Sequence, residues 1–415
     1  MNCRHCKAPL DKVFIDLVNC PPSNAMLKEG QLKEPEVYYP LKTYVCSSCF
    51  LVQVDEVKKA AEIFDQEYTY FSSFSTSLLA HSKAYVDMMI QRFGYNEQSL
   101  VIEVASNDGY LLQYFKEKHV PVLGVDPTAN TAKVAREKGI DTLVEFFTEN
   151  FAAQQLAAQG IKADLILGNN VLAHVPDIND FVAGMKVALK PGGVVTMEFP
   201  HLLRLVEDCL FDSIYHEHFS YLSFFTVQKV FEKQGLELFD VEEIATHGGS
   251  LRIFAKHDND DTKTVSTRVN DLLTKERNTG MTAMTYYENF QERVDDIKYN
   301  LWQFLIEQKR AGKKVVGYGA AAKANTLLNY CGVKGNDLIE FVVDLSPHKQ
   351  HKFLPGSHIP VVEEVKLKVL KPDFVIIFPW NLTREIVEQL DYISEWESKF
   401  VVFVPQLQVF EGPVA

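Results

Sequence analysis

Three groups of side chains in this 415-residue chain have types and spacings suited to chemistry. Four cysteines form two CxxC pairs, Cys3/Cys6 and Cys46/Cys49. Two such knuckles offer the four thiolates that tetrahedral Zn²⁺ takes. A full set of four leaves no open position, so the ion expected is structural. The pairs are separated by 39 residues, which calls for a sizeable inserted loop with Cys20 inside it as a non-ligand. His5, between the first pair, reads as a solvated neighbour. Unrelated reduced cysteines are the competing reading.

The second group, Asp212-Ser-Ile-Tyr-His-Glu-His-Phe219, holds more titratable groups than any other segment. It is not an HExxH metalloprotease motif, because Ser220 stands where the second histidine belongs. An acid–base cluster beside a cofactor crevice is the favoured reading. A His216/His218 metal pair and a polar loop are the alternatives. In an extended strand Tyr215 and Glu217 would point one way and His216 and His218 the other, so joint action requires a bend here.

The third group, Glu103-Val-Ala-Ser-Asn-Asp-Gly109, stands where a Rossmann-like sheet turns from its first strand into its first helix. It is not a GxGxxG: Ala105 and Asn107 occupy glycine-like positions and only Gly109 is glycine. Glu103 and Asp108 would repel a pyrophosphate. A cofactor with a cationic centre and an amino-acid tail fits better, and S-adenosylmethionine (SAM) has both. Asp126 ends the next strand, where a carboxylate can accept ribose hydroxyls, and Asn169 and Asn170 end a later one facing the same crevice. Each alone reads equally well as a turn or cap. Together, Glu103, Ala105, Asn107, Asp108, Gly109, Asp126, Asn169 and Asn170 outline a cofactor site and a methyltransferase.

The elements that must position these groups follow from hydrophobic patterning. Residues 1 to about 65 read as a small loop-and-strand module in need of a staple. A polar, aromatic segment, Tyr68 to Ser75, leads into a helical pattern through Ile90. From Leu100 apolar strands alternate with helices: 100–104, 121–126, 163–168 and 192–199. Such βαβ units make a mostly parallel sheet covered on both faces. His247-Gly-Gly249 reads as a hairpin turn. Phe290, Val294, Ile297, Leu301 and Phe304 fall on one face of a connecting helix. A second α/β unit has strands at 313–319, 341–344, 374–378 and 400–403. Its first turn, Gly317-Tyr-Gly-Ala-Ala-Ala-Lys323, permits close backbone approach, and Lys323 could meet a diphosphate.

Composition agrees with a globular α/β protein of two or three domains: 47% apolar and 23% charged residues. Forty-two basic against fifty-five acidic side chains give a net charge of −13, which disfavours nucleic-acid polymers. No apolar run approaches the ~20 residues needed to span a bilayer. The N-terminus lacks the apolar core of a signal peptide, so a cytoplasmic location is expected.

These motifs together resemble a known family. The CxxC pairs, Tyr68-x-Tyr-Phe-Ser-Ser73, Glu103-Val-Ala-Ser-Asn-Asp-Gly109, Asn169-Asn-Val-Leu-Ala-His174, Tyr215-His-Glu-His218 and His247-Gly-Gly-Ser-Leu-Arg252 look like the sugar C-methyltransferases. Those enzymes act on nucleotide-linked 4-keto deoxysugars. With Gly317 to Lys323 the resemblance runs almost end to end, and Tyr-His-Glu-His is its most specific motif.

The resemblance implies a three-part enzyme: a zinc-binding module over 1–65, a Rossmann-like SAM methyltransferase domain over 66–258, and a helical connector with a second Rossmann-like domain over 259–415. The last would hold a nucleotide-diphosphate sugar through Gly319, Ala320, Lys323, Asn325 and Asp344, its base thymine or guanine. The implied reaction is methylation at C3 of a 4-keto-6-deoxyhexose in branched deoxysugar biosynthesis. The implied active-site set is Tyr70, His174, Tyr215, Glu217 and His218, with Tyr68 able to replace Tyr70. Carbon becomes nucleophilic only on losing the proton α to the ketone, so a base and enolate donors are needed. His218 suits the base, Glu217 its orientation, and Tyr215 and His174 the donors. Two other functions compete: an NAD-dependent oxidoreductase using the second sheet, which the weak glycine fingerprint opposes, and a zinc-stapled nucleotide-binding scaffold, which has no use for an acid–base set.

Overall fold

A computed structural model of the chain describes residues 1–64, 68, 70–335 and 337–412. The boundary expected at 65/66 and Thr69 of the aromatic segment lie outside the described residues. By contacts the chain divides into two units. One joins Met1–Lys12, Val45–Leu202 and His218–Tyr286; the other joins Val13–Tyr44, Leu203–Glu217 and Tyr287–Ala415.

The first unit is built on a seven-stranded sheet in the order Leu236–Ile244, Ser250–His257, Leu189–Pro200, Ala163–Asn169, Val101–Val104, Val122–Val125, Thr142–Leu143. The last five run parallel; the first two form an antiparallel hairpin at the edge. All four residues of Val101–Val104 are buried, as a strand covered on both faces requires. Chain order reverses between Val101–Val104 and Ala163–Asn169. Strand ends diverge there and leave a crevice. The helix Thr76–Phe93 packs on the sheet through Tyr85, Val86 and Met89; Ser75 caps its start, accepting from the Leu78 amide, and Gly94 ends it in a left-handed turn. The expected hairpin turn lies between Leu236–Ile244 and Ser250–His257, with His247, Gly248 and Gly249 all at positive φ.

The second unit has a six-stranded sheet, Val361–Val362, Val342–Val343, Val315–Tyr318, Phe374–Ile377, Lys399–Val402, Gln408–Phe410, parallel except for the last strand. The helix Phe290–Arg310 buries the stripe Phe290, Val294, Ile297, Leu301 and Phe304. Residues from the 13–44 stretch join this unit through specific contacts. Phe14 stacks on Phe290 at 4.6 Å between ring centroids, and Leu27 exchanges backbone hydrogen bonds with Phe353. The Glu36 carboxylate accepts from the Gly356 amide at 2.8 Å and lies 2.9 Å from His358 Nε2. The two-residue strands Thr142–Leu143 and Val361–Val362 are too short for any periodicity to mark them.

Candidate active site

The two cysteine knuckles fold alike. Lys7 N–H donates to Cys3 O at 3.0 Å and Phe50 N–H to Cys46 O at 2.9 Å, each from a residue at positive φ four positions on. This turn brings both thiols of a pair to the same side. Cys3 Sγ lies 3.5 Å from Cys49 Sγ, Cys6 Sγ 3.5 Å from Cys46 Sγ, and all four sulfurs lie within 4.8 Å of one another. A tetrahedron of ~2.3 Å Zn–S bonds has edges of about 3.8 Å, so the set fits zinc. Among the described residues it is the only group of three or more potential ligands so gathered. Cys20 lies outside it, with Sγ 4.0 Å from Asn325 Nδ2. His5 corrects the expectation of a solvated neighbour: it is buried, with Nδ1 2.8 Å from Asn179 Oδ1. Its neighbour Arg4 donates to the carbonyls of Pro176 (3.1 Å), Val54 (3.2 Å) and Phe219.

At the first sheet's switch point the loop after Val104 uses the backbone the sequence suggested. Ala105, Asn107 and Gly109 all have positive φ, at 56°, 49° and 76°. A Cβ on Gly109 would come 2.5 Å from Ile140 Cδ1, so packing as well as φ demands glycine. Asp126 braces the loop, with Oδ2 accepting Asn107 N–H at 2.8 Å and Oδ1 accepting Thr128 N–H at 2.9 Å. Asn107 in turn binds the preceding aromatic segment through Ser72 N–H (2.9 Å) and Tyr70 O (3.1 Å). Asp108 pairs with Lys138 at 3.3 Å and accepts from Ser73 Oγ.

Three groups at these strand ends lack partners among the described residues: both oxygens of Glu103, Oδ1 of Asp108, and the side-chain nitrogen and oxygen of Asn169. Glu103 is fully buried, and burial, then Asp126 and Asp108, push its carboxyl well above the usual range. Asn170 reaches the hairpin instead, its Nδ2 3.0 Å from His247 Nε2.

Beside Asn169, sequence reasoning missed a buried ionic group. Glu198 is registered between Asn169 and Arg252 on neighbouring strands. It accepts from Arg252 Nε at 2.7 Å and lies 2.8 Å from His81 Nε2. Burial raises its carboxyl, but His81 and Arg252 outweigh that and hold it below the usual range. The helical and strand patterns of the three segments signalled burial, and Arg252 stood in the His247–Arg252 motif. No signal in the sequence paired them.

The acid–base segment bends, as joint action requires: His216 and Glu217 form a turn. In the first unit the His218 ring meets His174 edge-on, with centroids 4.6 Å apart, and Tyr221 lies 6.2 Å away. Phe64 touches both His174 (5.8 Å) and Tyr68 (5.5 Å) between centroids; Tyr70 is exposed. In the second unit Glu217 is buried and accepts from Asn24 Nδ2 at 2.7 Å, while His216 Nε2 lies 3.2 Å from Pro40 O. Tyr215 is half-buried.

The second sheet's turn repeats the brace of the first. Asp344 Oδ2 accepts Ala320 N–H at 2.8 Å and its Oδ1 accepts Ser346 N–H at 2.8 Å. Gly319, at φ 88°, directs its missing Cβ at the Pro379 ring, 2.5 Å from Cδ. Lys323 lies 3.2 Å from Ser213 Oγ and 4.1 Å over the Trp380 ring. Asn325 is not gathered with them: it is fully buried and bonded through O and Oδ1 to Asn329.

Comparison with known proteins places this architecture. The family described as "Putative zinc binding domain" matches residues 3–64, "Methyltransferase domain" matches 79–241, and "C-methyltransferase C-terminal domain" matches 245–405. The C-methyltransferase NovU of Streptomyces niveus is 33% identical over 377 residues, 91% of this chain and 89% of that protein. The chain belongs to the C-methyltransferases. This C-methyltransferase is also 32% identical to a ubiquinone biosynthesis O-methyltransferase of Chelativorans sp. (strain BNC1), over 95 residues, 23% of its own length and 38% of that protein's. Over 43% of its length it is similar to magnesium protoporphyrin IX methyltransferase from Synechocystis PCC 6803 (78% of that chain, 13% identity, TM-score 0.33).

The enzyme is SAM-dependent, and its residues fit the cofactor. The unpartnered oxygens of Glu103, Asp108 and Asn169 at the switch point need donors and Asn169 Nδ2 needs an acceptor; a ligand whose amino-acid tail carries both an ammonium and a carboxylate supplies both. The four free thiols fit structural zinc in the same way. No helix among the described residues is long and apolar enough to cross a membrane.

Proposed function

We propose that this C-methyltransferase methylates C3 of a nucleotide-linked 4-keto-6-deoxyhexose, in the cytoplasm, on the way to a branched deoxysugar. The three-part division 1–65, 66–258 and 259–415 belongs to the same reading, as zinc-binding, cofactor-binding and nucleotide-sugar-binding parts. The observation that carries it is the edge-on pair of imidazoles, His174 and His218, 4.6 Å apart. One imidazole can take a proton from carbon while the other donates to the oxygen that becomes negative.

In this reading His218 removes the C3 proton, which the adjacent C4 ketone acidifies. A neutral imidazole does this near pH 7. His174 and Tyr215 donate to the enolate oxygen, and Glu217 orients and charge-balances the base. SAM, held by Glu103, Ala105, Asn107, Asp108, Gly109, Asp126, Asn169 and Asn170, supplies an electrophilic methyl group on a sulfonium. The protein's remaining task is alignment of the carbon nucleophile. Tyr70 holds its place by motif; Tyr68 competes through its packing, via Phe64, toward His174. Gly319, Ala320, Lys323 and Asp344 make up the nucleotide-sugar end, and Asn325, buried against Asn329, packs the helix behind them. The net charge of −13 opposes a nucleic-acid substrate.

The proton step is separable from methyl transfer. Incubation with thymidine- or guanosine-diphosphate-linked 4-keto-6-deoxyhexose in deuterium oxide, without SAM, should place deuterium at C3. His218→Asn should slow that exchange at least a hundredfold; exchange at the wild-type rate removes His218 from the base role. Tyr68→Phe and Tyr70→Phe, measured alongside, identify the active-site tyrosine.

A further inference from the structure

The helix Ala322–Cys331 begins after Ala321, whose methyl group cannot cap it, and among the described residues no side chain accepts from its first amides. Close to that end lies a group of side chains of which only Lys323 has a place in the reading above. Asp212 is 1% exposed, and its Oδ2 accepts Trp380 Nε1–H at 2.8 Å. Its Oδ1 is buried with no donor among the described residues. Lys323 lies 4.1 Å above the same indole ring, and Ser213 Oγ, at 3.2 Å, is its single hydrogen-bond acceptor among those residues. The loop's other lysine, Lys349, is committed to Ala320 O at 2.9 Å and to Asp344 at 3.6 Å.

Two unmet needs therefore lie side by side. An ammonium with spare donors beside an uncapped helix end suits a phosphate oxygen. A carboxylate oxygen buried without a donor is unfavourable until a ligand supplies one. A single chemical class meets both needs: a diphosphate ester carrying a hydroxyl near its phosphates.

We propose that Asp212 is a substrate-contacting residue, accepting a hydroxyl of the nucleotide-sugar next to the diphosphate held by Lys323, with Trp380 as the positioning residue that aims it. This rests on the nucleotide-sugar reading above and adds to it the residues that recognise the linkage. The hydroxyl belongs to the nucleoside's ribose or to the hexose.

Calorimetry on the full-length, zinc-loaded protein tests this. The ligands are thymidine and guanosine diphosphates, their 4-keto-6-deoxyhexose conjugates and S-adenosylhomocysteine; the proteins are wild type, Asp212→Asn, Asp212→Leu, Lys323→Met, Trp380→Phe and Trp380→His. Lys323→Met should weaken diphosphates and conjugates at least tenfold. Both Asp212 variants should weaken diphosphate and conjugate alike, at least fivefold, if the hydroxyl is the ribose's, and the conjugate alone if it is the hexose's. Trp380→Phe should reproduce the Asp212 pattern in weaker form, and Trp380→His, which keeps a ring N–H, should restore part of the loss. S-adenosylhomocysteine affinity within twofold of wild type in each variant checks the fold. Nucleotide affinities unchanged in both Asp212 variants overturn the proposal. A wild-type protein that binds S-adenosylhomocysteine but neither diphosphates nor conjugates overturns the nucleotide-sugar reading itself.

Discussion

Glu103 and Glu198 occupy neighbouring regions of one sheet and are equally buried, yet they titrate in opposite directions. Glu198 has His81 and Arg252 as counter-charges; the charges acting on Glu103 are those of Asp126 and Asp108, and it has no hydrogen-bond donor among the described residues. A carboxyl whose pKa is raised by folding keeps its proton longer in the folded chain. Its stabilising contribution is full at low pH and is lost as pH rises from the ordinary glutamate range through the folded value. Glu103→Gln should therefore melt above wild type at pH 8, with the difference shrinking toward pH 4 in thermal denaturation. The same variant should bind S-adenosylhomocysteine at least tenfold more weakly, about 1.4 kcal/mol. A variant that melts below wild type at pH 8, or that binds normally, contradicts this account of Glu103. Glu103 was legible in the sequence from its place before a strand-to-helix turn. Its isolation was not, because a carboxylate's partners come from other strands.

At the scale of elements, the first cysteine knuckle does more than hold a metal. Arg4, inside it, donates to the carbonyls of Val54 and Phe219, while Val54 N–H donates back to Phe219 O and Val52–Val54 pairs with Ser220–Tyr221. Phe219 follows His218 directly, so the knuckle fixes the backbone that carries one imidazole of the pair. Arg4→Ala should cost ~3 kcal/mol of stability, from several charged hydrogen bonds lost at once, and lower kcat at least tenfold while KM for SAM changes less than threefold. Chelation of zinc should reproduce both effects in wild-type protein. Full kcat after chelation would confine the metal to a bystander's role. The CxxC spacing announced the metal, whereas the service of Arg4 to a residue 215 positions away was invisible.

For the whole molecule, the charge of −13 acts on every ligand that approaches. It attracts a cationic sulfonium and repels a diphosphate, and salt screens both effects. Raising ionic strength from 20 to 300 mM should raise KM for SAM about twofold to threefold and lower KM for the nucleotide-sugar by a similar factor. Steady-state kinetics along a salt series check the signs; parallel movement of the two constants would contradict the field argument.

Much of this protein could be read from its residues alone. The parallel strands announce themselves as short apolar runs, the helix at 290 by its stripe, the metal by paired cysteines, and the crevice by acids at strand ends. These signals are local: burial on one face, a turn's backbone needs, or a ligand spacing. Only the tertiary structure decided which distant segments meet. Residues 13–44 join the second sheet, Glu198 finds a histidine 117 positions away and an arginine 54 away, and Asp212 meets Trp380 across 168 residues. The reason is physical: a hydrophobic pattern records that a side chain is buried, but its partner is set by strand order and register, which the whole core determines together.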